Sequence, residues 1–154
     1  MSYHVPVLLK QSVEGLNIQA GGIYVDVTFG GGGHARAIFE QMGQGTLIAF
    51  DQDPDASINT ASFESDAQRS FIFVASNFRH LKRYLKFHKI DKVDGILADL
   101  GVSSHQFDQQ SRGFSTRFDG ALDMRMDQVS AITAAKVVNE YTEEVLIQLL
   151  SRYG

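Results

Sequence analysis

Cysteine is absent from the 154 residues of this chain, which excludes a disulfide framework, a thiolate metal site and a cysteine nucleophile and suits a reducing cytoplasm. There is no apolar run long enough for a membrane span, and no basic-then-apolar segment at Met1 of the secretory kind. Positive charge is scarce. The 14 Lys and Arg against 18 Asp and Glu leave a net charge of −4, which argues against a broad cationic face for nucleic acid. Any nucleic-acid partner must then be gripped locally. His4, His80, His88 and His105 show no metal-ligand spacing, so no metal is expected. Internal repeats and low-complexity tracts are missing as well. What is present is 44% apolar content over a length that supports one packed core.

The most informative stretch is Val25-Asp26-Val27-Thr28-Phe29-Gly30-Gly31-Gly32-Gly33-His34-Ala35, together with Asp51 after the apolar run Leu47-Ile48-Ala49-Phe50. An apolar strand runs into a glycine loop and then a helix, and an acid closes the next strand. Glycines let backbone N–H groups approach a ligand closely, and an acid roughly 20 residues on can accept ribose hydroxyls. The pattern is a cradle for a nucleoside cofactor. Asp26 decides which one. A carboxylate beside a pyrophosphate would be repelled, whereas S-adenosylmethionine, with its cationic sulfonium and amino-acid tail, tolerates or uses that charge. A methyltransferase is therefore expected ahead of a nicotinamide-dependent dehydrogenase.

Along the chain, a short leading helix fits 6–16, a first strand 23–29, a helix 32–41 and a second strand 46–50. Asp53 and Pro54 can open a helix carried on by the polar run 59–68. A third strand follows over 71–74, a basic-faced helix over 78–87 and a fourth strand over 93–100. This alternation predicts an α/β fold with a parallel sheet covered by helices on both faces. Segment 101–127 has no sustained period and reads as a long functional loop, with Leu122, Met124 and Met126 alternating along an extended piece. Ser130 is expected to cap a helix running to about Glu140, and Thr142 to open another whose buried stripe is Val145, Leu146, Leu149, Leu150 and Tyr153. Four strands are too few for a closed methyltransferase sheet, so a front half is expected.

Ligands of open α/β sheets lie beyond the carboxyl ends of the strands. At the first strand end, His34 is either a capping or packing residue or a neutral ring that positions the methionine part of the cofactor. Asp51, at the second, is read as a ribose clamp, with helix capping as the plainer role. Phe78, after the third, either lies against adenine or belongs to the core of its helix. Asp99 ends the fourth, in Asp94-Gly95-Ile96-Leu97-Ala98-Asp99-Leu100-Gly101-Val102-Ser103-Ser104. A carboxylate ending a buried apolar strand is costly unless it is used. An acceptor here suits an exocyclic amine such as cytosine N4. The loop Arg112-Gly113-Phe114-Ser115-Thr116-Arg117-Phe118-Asp119-Gly120 mixes basic and aromatic residues suited to stacking a base and holding its phosphate.

These residues are familiar together. His4-Val5-Pro6-Val7-Leu8-Leu9, the 30–34 loop, 94–104, Arg112-Gly113-Phe114-Ser115 and Asp119-Gly120-Ala121-Leu122-Asp123-Met124-Arg125-Met126-Asp127 resemble the MraW family over nearly the whole chain. That family comprises bacterial cytosine N4-methyltransferases of small-subunit ribosomal RNA. The resemblance implies a Rossmann-like S-adenosylmethionine-dependent fold, with the cofactor held by Gly32, Gly33, His34, Asp51, Phe78, Asp99 and Gln106. Gln106 comes from the resemblance alone. Asp99, Ser103 and Ser104 are then the expected catalytic group, and Arg112, Phe114, Arg117 and Arg125 the expected substrate contacts. A core over 1–127 would carry the active-site loop 101–127, and 128–154 would begin a helical inserted domain. Chains of the family continue further, so this one is expected to be truncated; His105 stands where the family commonly has proline. The expected partner is small-subunit ribosomal RNA or the assembled subunit, in the cytoplasm and away from membranes, with a homodimer left open. The rivals are a dehydrogenase using NAD and a cofactor-binding remnant without catalysis.

Overall fold

The computed structural model describes residues 6–154. The chain divides into two compact units, 1–101 and 102–154.

The first unit is built on a four-stranded parallel sheet of order β3-β2-β1-β4, with β1 Ile23–Asp26, β2 Gly45–Asp51, β3 Arg69–Ala75 and β4 Gly95–Leu97. Successive side chains of β1 and β2 point to opposite faces, as the pleat requires. Tyr24, Leu47 and Ala49 join one buried cluster with Ile38 and Met42 of α2 (Gly33–Met42), against which Leu9 of α1 (Leu9–Gly15) packs. Val25, Ile48 and Phe50 join the other, packed by Leu81, Tyr84 and Leu85 of α3 (Leu81–Phe87). The sheet is thus covered on both faces, as the unbroken apolar runs predict. Each fully buried Leu or Ile contributes about 1.5–3 kcal/mol.

One end of the first cluster is a nest of phenylalanines. Phe63 stacks on Phe71 at 4.2 Å between centroids, and Phe29 lies 5.6 Å from Phe63 and 5.2 Å from Phe73. Phe29 belongs to the glycine loop, so this packing anchors the loop from below. Strand order reverses between β1 and β4, and such a switch point is where open α/β sheets form a crevice.

Several sequence expectations need correction. The fourth strand spans three residues instead of 93–100. Among the described residues it pairs with β1, and Asp94 closes that ladder by bonding Ile23 through both backbone and side chain at 2.7 Å. The segment opened by Asp53 is a 3-10 helix, Pro54–Ser62, which stops before Gln68 because Phe63 turns into the core.

The second unit holds α4 Ser104–Asp108, a 3-10 turn Gln110–Arg112, α5 Ala134–Glu140 and α6 Glu143–Tyr153. Thr133, not Ser130, caps α5. Ser130 instead accepts from the Ile132 N–H on its hydroxyl and from Arg125 on its carbonyl. Met124 adopts φ of 57°, which breaks the alternation expected through Leu122, Met124 and Met126. The stripe of α6 is not buried: Leu150 is 70% exposed and Tyr153 73%. Among the described residues no helix is long and apolar enough to cross a membrane.

Candidate functional site

In the first unit the strand ends bring the predicted acids together around the glycine turn. Gly32 has φ of 77°, and a Cβ there would stand 3.1 Å from the Phe29 ring, so the turn before α2 requires glycine. No side chain caps this helix start, leaving the leading N–H groups of α2 available to an anion.

Asp51 fastens the turn. Its Oδ2 accepts from the Gly30 N–H at 2.7 Å, and its Oδ1 from the Asp53 N–H at 2.8 Å. Burial raises its pKa, while those two backbone bonds oppose the rise. With about four lone-pair sites on a carboxylate, a ribose hydroxyl can still be accepted beside these bonds. The next peptide along is held by Asn59, whose Nδ2 donates to the Gly30 carbonyl at 3.0 Å. Sequence reasoning missed Asn59, which sits in a polar run with nothing to single it out.

Asp26, at the end of β1, is fully buried. Its Oδ1 accepts from the Thr28 N–H at 2.9 Å, and Oδ2 has no hydrogen-bond partner among the described residues. Burial pushes the carboxyl up to about 6, helped by the charges of Asp51 and Asp99. His34 is also buried, with an unpartnered Nε2. Its Nδ1 lies 3.8 Å from Asp99 Oδ2, too far for a hydrogen bond.

Asp99 departs from expectation. Its side chain is 54% exposed, so the cost of burial, invoked from sequence to give Asp99 a task, applies instead to Asp26. β4 ends at Leu97, before Asp99 is reached, and Ile96 and Leu100 are exposed too. Phe78 is 42% exposed at the start of a 3-10 turn, which places it outside the core and leaves its ring available for stacking. Asn77 caps that turn and donates to Gln52 Oε1 at 2.7 Å, tying the ends of β3 and β2 together.

In the second unit, Ser103 and Gln106 form a capping box at the start of α4. Ser103 Oγ accepts from the Gln106 N–H at 3.2 Å, and Gln106 Oε1 accepts from the Ser103 N–H at 3.1 Å. The Ser-x-x-Gln spacing is a known helix-start signature and was available in the sequence. Ser104 is the first, exposed residue of that helix.

Arg112 and Arg125 are spent inside the loop. Arg112, 4% exposed, donates to the carbonyls of Arg125 at 3.1 Å and Met126 at 3.3 Å. Arg125 pairs with both oxygens of Asp123 at 2.9 and 2.7 Å and donates to the carbonyls of Gln128 and Ser130. The guanidinium holds the Asp123 carboxyl below its usual range. At Gly113, with φ of 69°, a Cβ would stand 2.5 Å from the Ala121 carbonyl oxygen, so the loop closes on a bare backbone. Arg117 is different: its side chain is 77% exposed and meets Asp108 only at 3.9 Å. Phe114 is half-buried. Among the described residues no cluster of three or more His, Asp or Glu is arranged to hold a metal ion.

A parallel sheet flanked by helices, with acids at its strand ends around a glycine turn, defines a Rossmann-like fold of the methyltransferase kind. The chain belongs to the MraW methylase family, whose model matches residues 1–154. It is 56% identical over 155 residues to the ribosomal RNA small subunit methyltransferase H of Bacteroides thetaiotaomicron, covering 100% of this chain and 49% of that protein. The protein of the same name from Flavobacterium johnsoniae is 56% identical over 155 residues, with 100% and 50% covered. That from Amoebophilus asiaticus is 53% identical over 153 residues, with 99% and 48% covered. The chain thus spans about half the length of the curated relatives it matches.

Proposed function

We propose that the protein is an S-adenosylmethionine-dependent methyltransferase whose target is N4 of a cytidine in small-subunit ribosomal RNA, free or in the assembled subunit. One observation carries the reading. Asp26, Asp51 and Asp99 gather at the glycine turn, and among the described residues no lysine or arginine neutralises them. Uncompensated negative charge suits a sulfonium with an ammonium tail and disfavours the pyrophosphate of NAD. The buried, unpartnered Asp26 Oδ2 and His34 Nε2 fit a ligand with polar groups of its own.

Asp51 takes the ribose hydroxyls, and Gly32, Gly33 and His34 offer the uncapped start of α2 to the carboxylate of the methionine tail. The exposed ring of Phe78 takes the adenine. The cofactor, when bound, supplies an electrophilic methyl group. Asp99, which carries over from the family resemblance as a cofactor contact as well, accepts a hydrogen bond from the N4 amine of the base and so orients that nitrogen, and the amine proton leaves to water. Alignment of this kind supplies several kcal/mol, up to about 7–11 in ideal cases. The base must be single-stranded or flipped out. Gln106 carries over as a cofactor contact from the family resemblance, and Ser103 and Ser104 shape the nucleotide pocket. Phe114 and Arg117 take the base and its phosphate, while Arg112 and Arg125 hold their loop in shape. Residues 1–127 form the catalytic core and 128–154 begin a helical insertion, in a cytoplasmic protein.

The test is transfer of labelled methyl to unmethylated small subunits, run beside Asp99→Ala, with the modified nucleoside identified by mass. N4-methylcytidine from the wild type and none from the variant is the expected result. Tighter binding of NAD than of S-adenosylmethionine would overturn the reading. Cofactor binding with no transfer would leave a binding remnant.

A further inference from the structure

The backbones of β1 and β4 separate at the site. Asp26 is paired with Leu97, and the Val27 N–H still donates to the Leu97 carbonyl at 2.9 Å. The Asp99 N–H then donates to a side chain, Thr28 Oγ1, at 2.8 Å. The same hydroxyl faces Asp26 Oδ1 at 3.4 Å, and the Thr28 N–H bonds that oxygen at 2.9 Å. Thr28 is therefore a clip. It grips the buried carboxylate of β1 with its donors and the amide of β4 with its lone pair.

Asp99 has little else to place it. β4 ends at Leu97, before Asp99, and no hydrogen bond reaches the Asp99 carboxylate among the described residues. We propose that Thr28 is a positioning residue whose hydroxyl extends the β1–β4 ladder by one rung and thereby fixes where the Asp99 carboxylate stands. The functional consequence rests on the methyl-transfer reading above; the clip itself does not.

Thr28→Val removes the hydroxyl and keeps the shape, whereas Thr28→Ser keeps the hydroxyl. Calorimetry with S-adenosylmethionine is expected to show about tenfold weaker binding for Thr28→Val, the weight of one hydrogen bond, and a change within about twofold for Thr28→Ser. In an Asp99→Ala background, Thr28→Val should add no more than about twofold, because two changes acting through one group are not additive. Amide exchange followed by NMR gives a readout independent of the cofactor. The Asp99 N–H should stay protected in the wild type and Thr28→Ser, and exchange at least about tenfold faster in Thr28→Val. Equal losses from valine and serine, an undiminished valine effect without Asp99, or unchanged Asp99 exchange would each overturn the proposal. A wild type that binds no S-adenosylmethionine would sink the methyltransferase reading instead, and Asp99 exchange alone would then decide the clip.

Discussion

Two regions of this molecule treat charge in opposite ways. At the strand ends of the first unit, carboxylates are held by backbone N–H groups and a threonine, with no lysine or arginine beside them among the described residues. In the loop of the second unit, the guanidinium groups of Arg112 and Arg125 are turned onto backbone carbonyls and Asp123. The first arrangement leaves a negative potential unspent, which is the condition for recruiting a positively charged ligand. The second has consumed its own charge, and its arginines serve architecture. A basic residue in a loop of mixed charge is therefore weak evidence of a substrate contact until its donors have been followed to their acceptors.

The sharpest way to break this contrast is at Arg112. Arg112→Ala should destabilise the 112–130 segment by about 2–4 kcal/mol, as carbonyls lose bonds to a charged donor. Loss of amide protection in that segment alone would show it. Unchanged protection would return Arg112 to the list of free substrate contacts.

Next comes Asp26→Asn. The Asp26 carboxyl titrates near 6 in the fold against 3.8 when unfolded, so the folded state prefers the proton. Its stability is complete below pH 3.8 and falls as the pH rises to about 6, by about 3 kcal/mol in total. The asparagine variant should lose this dependence, melting at higher urea than wild type at pH 8 with little difference at pH 4, while binding S-adenosylmethionine more weakly. A variant no more stable at pH 8 would show that the buried charge is compensated. Asp51→Asn should cost cofactor affinity by about 1.5–3 kcal/mol, the range for a hydrogen bond to a charged group; calorimetry showing less would remove the ribose role. The smallest effect on stability belongs to Arg117→Ala, within about 0.5 kcal/mol, because its ion pair is exposed. That variant should weaken methyl transfer at limiting subunit concentration.

The order β1, glycine turn, α2, β2 was legible because long apolar runs and a glycine cluster carry strong local signals. Asp51 was legible for the same reason, since it ends such a run. What escaped was set at long range. Nothing near Thr28 in the chain indicates that its hydroxyl meets an amide 71 residues away, and nothing near Asn59 points to the Gly30 carbonyl. The exposure of Asp99 was not legible because an apolar run does not disclose where its strand stops, and β4 ends at Leu97. The apolar stripe of α6 was read as buried for a related reason: periodicity specifies which face is apolar, not whether anything covers it. In one place the signal existed and was overlooked, the Ser103 to Gln106 capping spacing.

The peptides on both sides of Gly30 are secured, the preceding one through the Gly30 N–H by Asp51 and the following one through the Gly30 carbonyl by Asn59. A glycine-rich turn would ordinarily sample many backbone rotations, and freezing each residue on ligand arrival costs about 1–2 kcal/mol. Here both peptide planes that flank the Gly30 Cα are held before any ligand arrives, which suppresses rotation about its φ and ψ. Association should accordingly resemble insertion into a stiff socket, with picosecond order parameters at Gly30 as high as those of the sheet and little changed by occupancy.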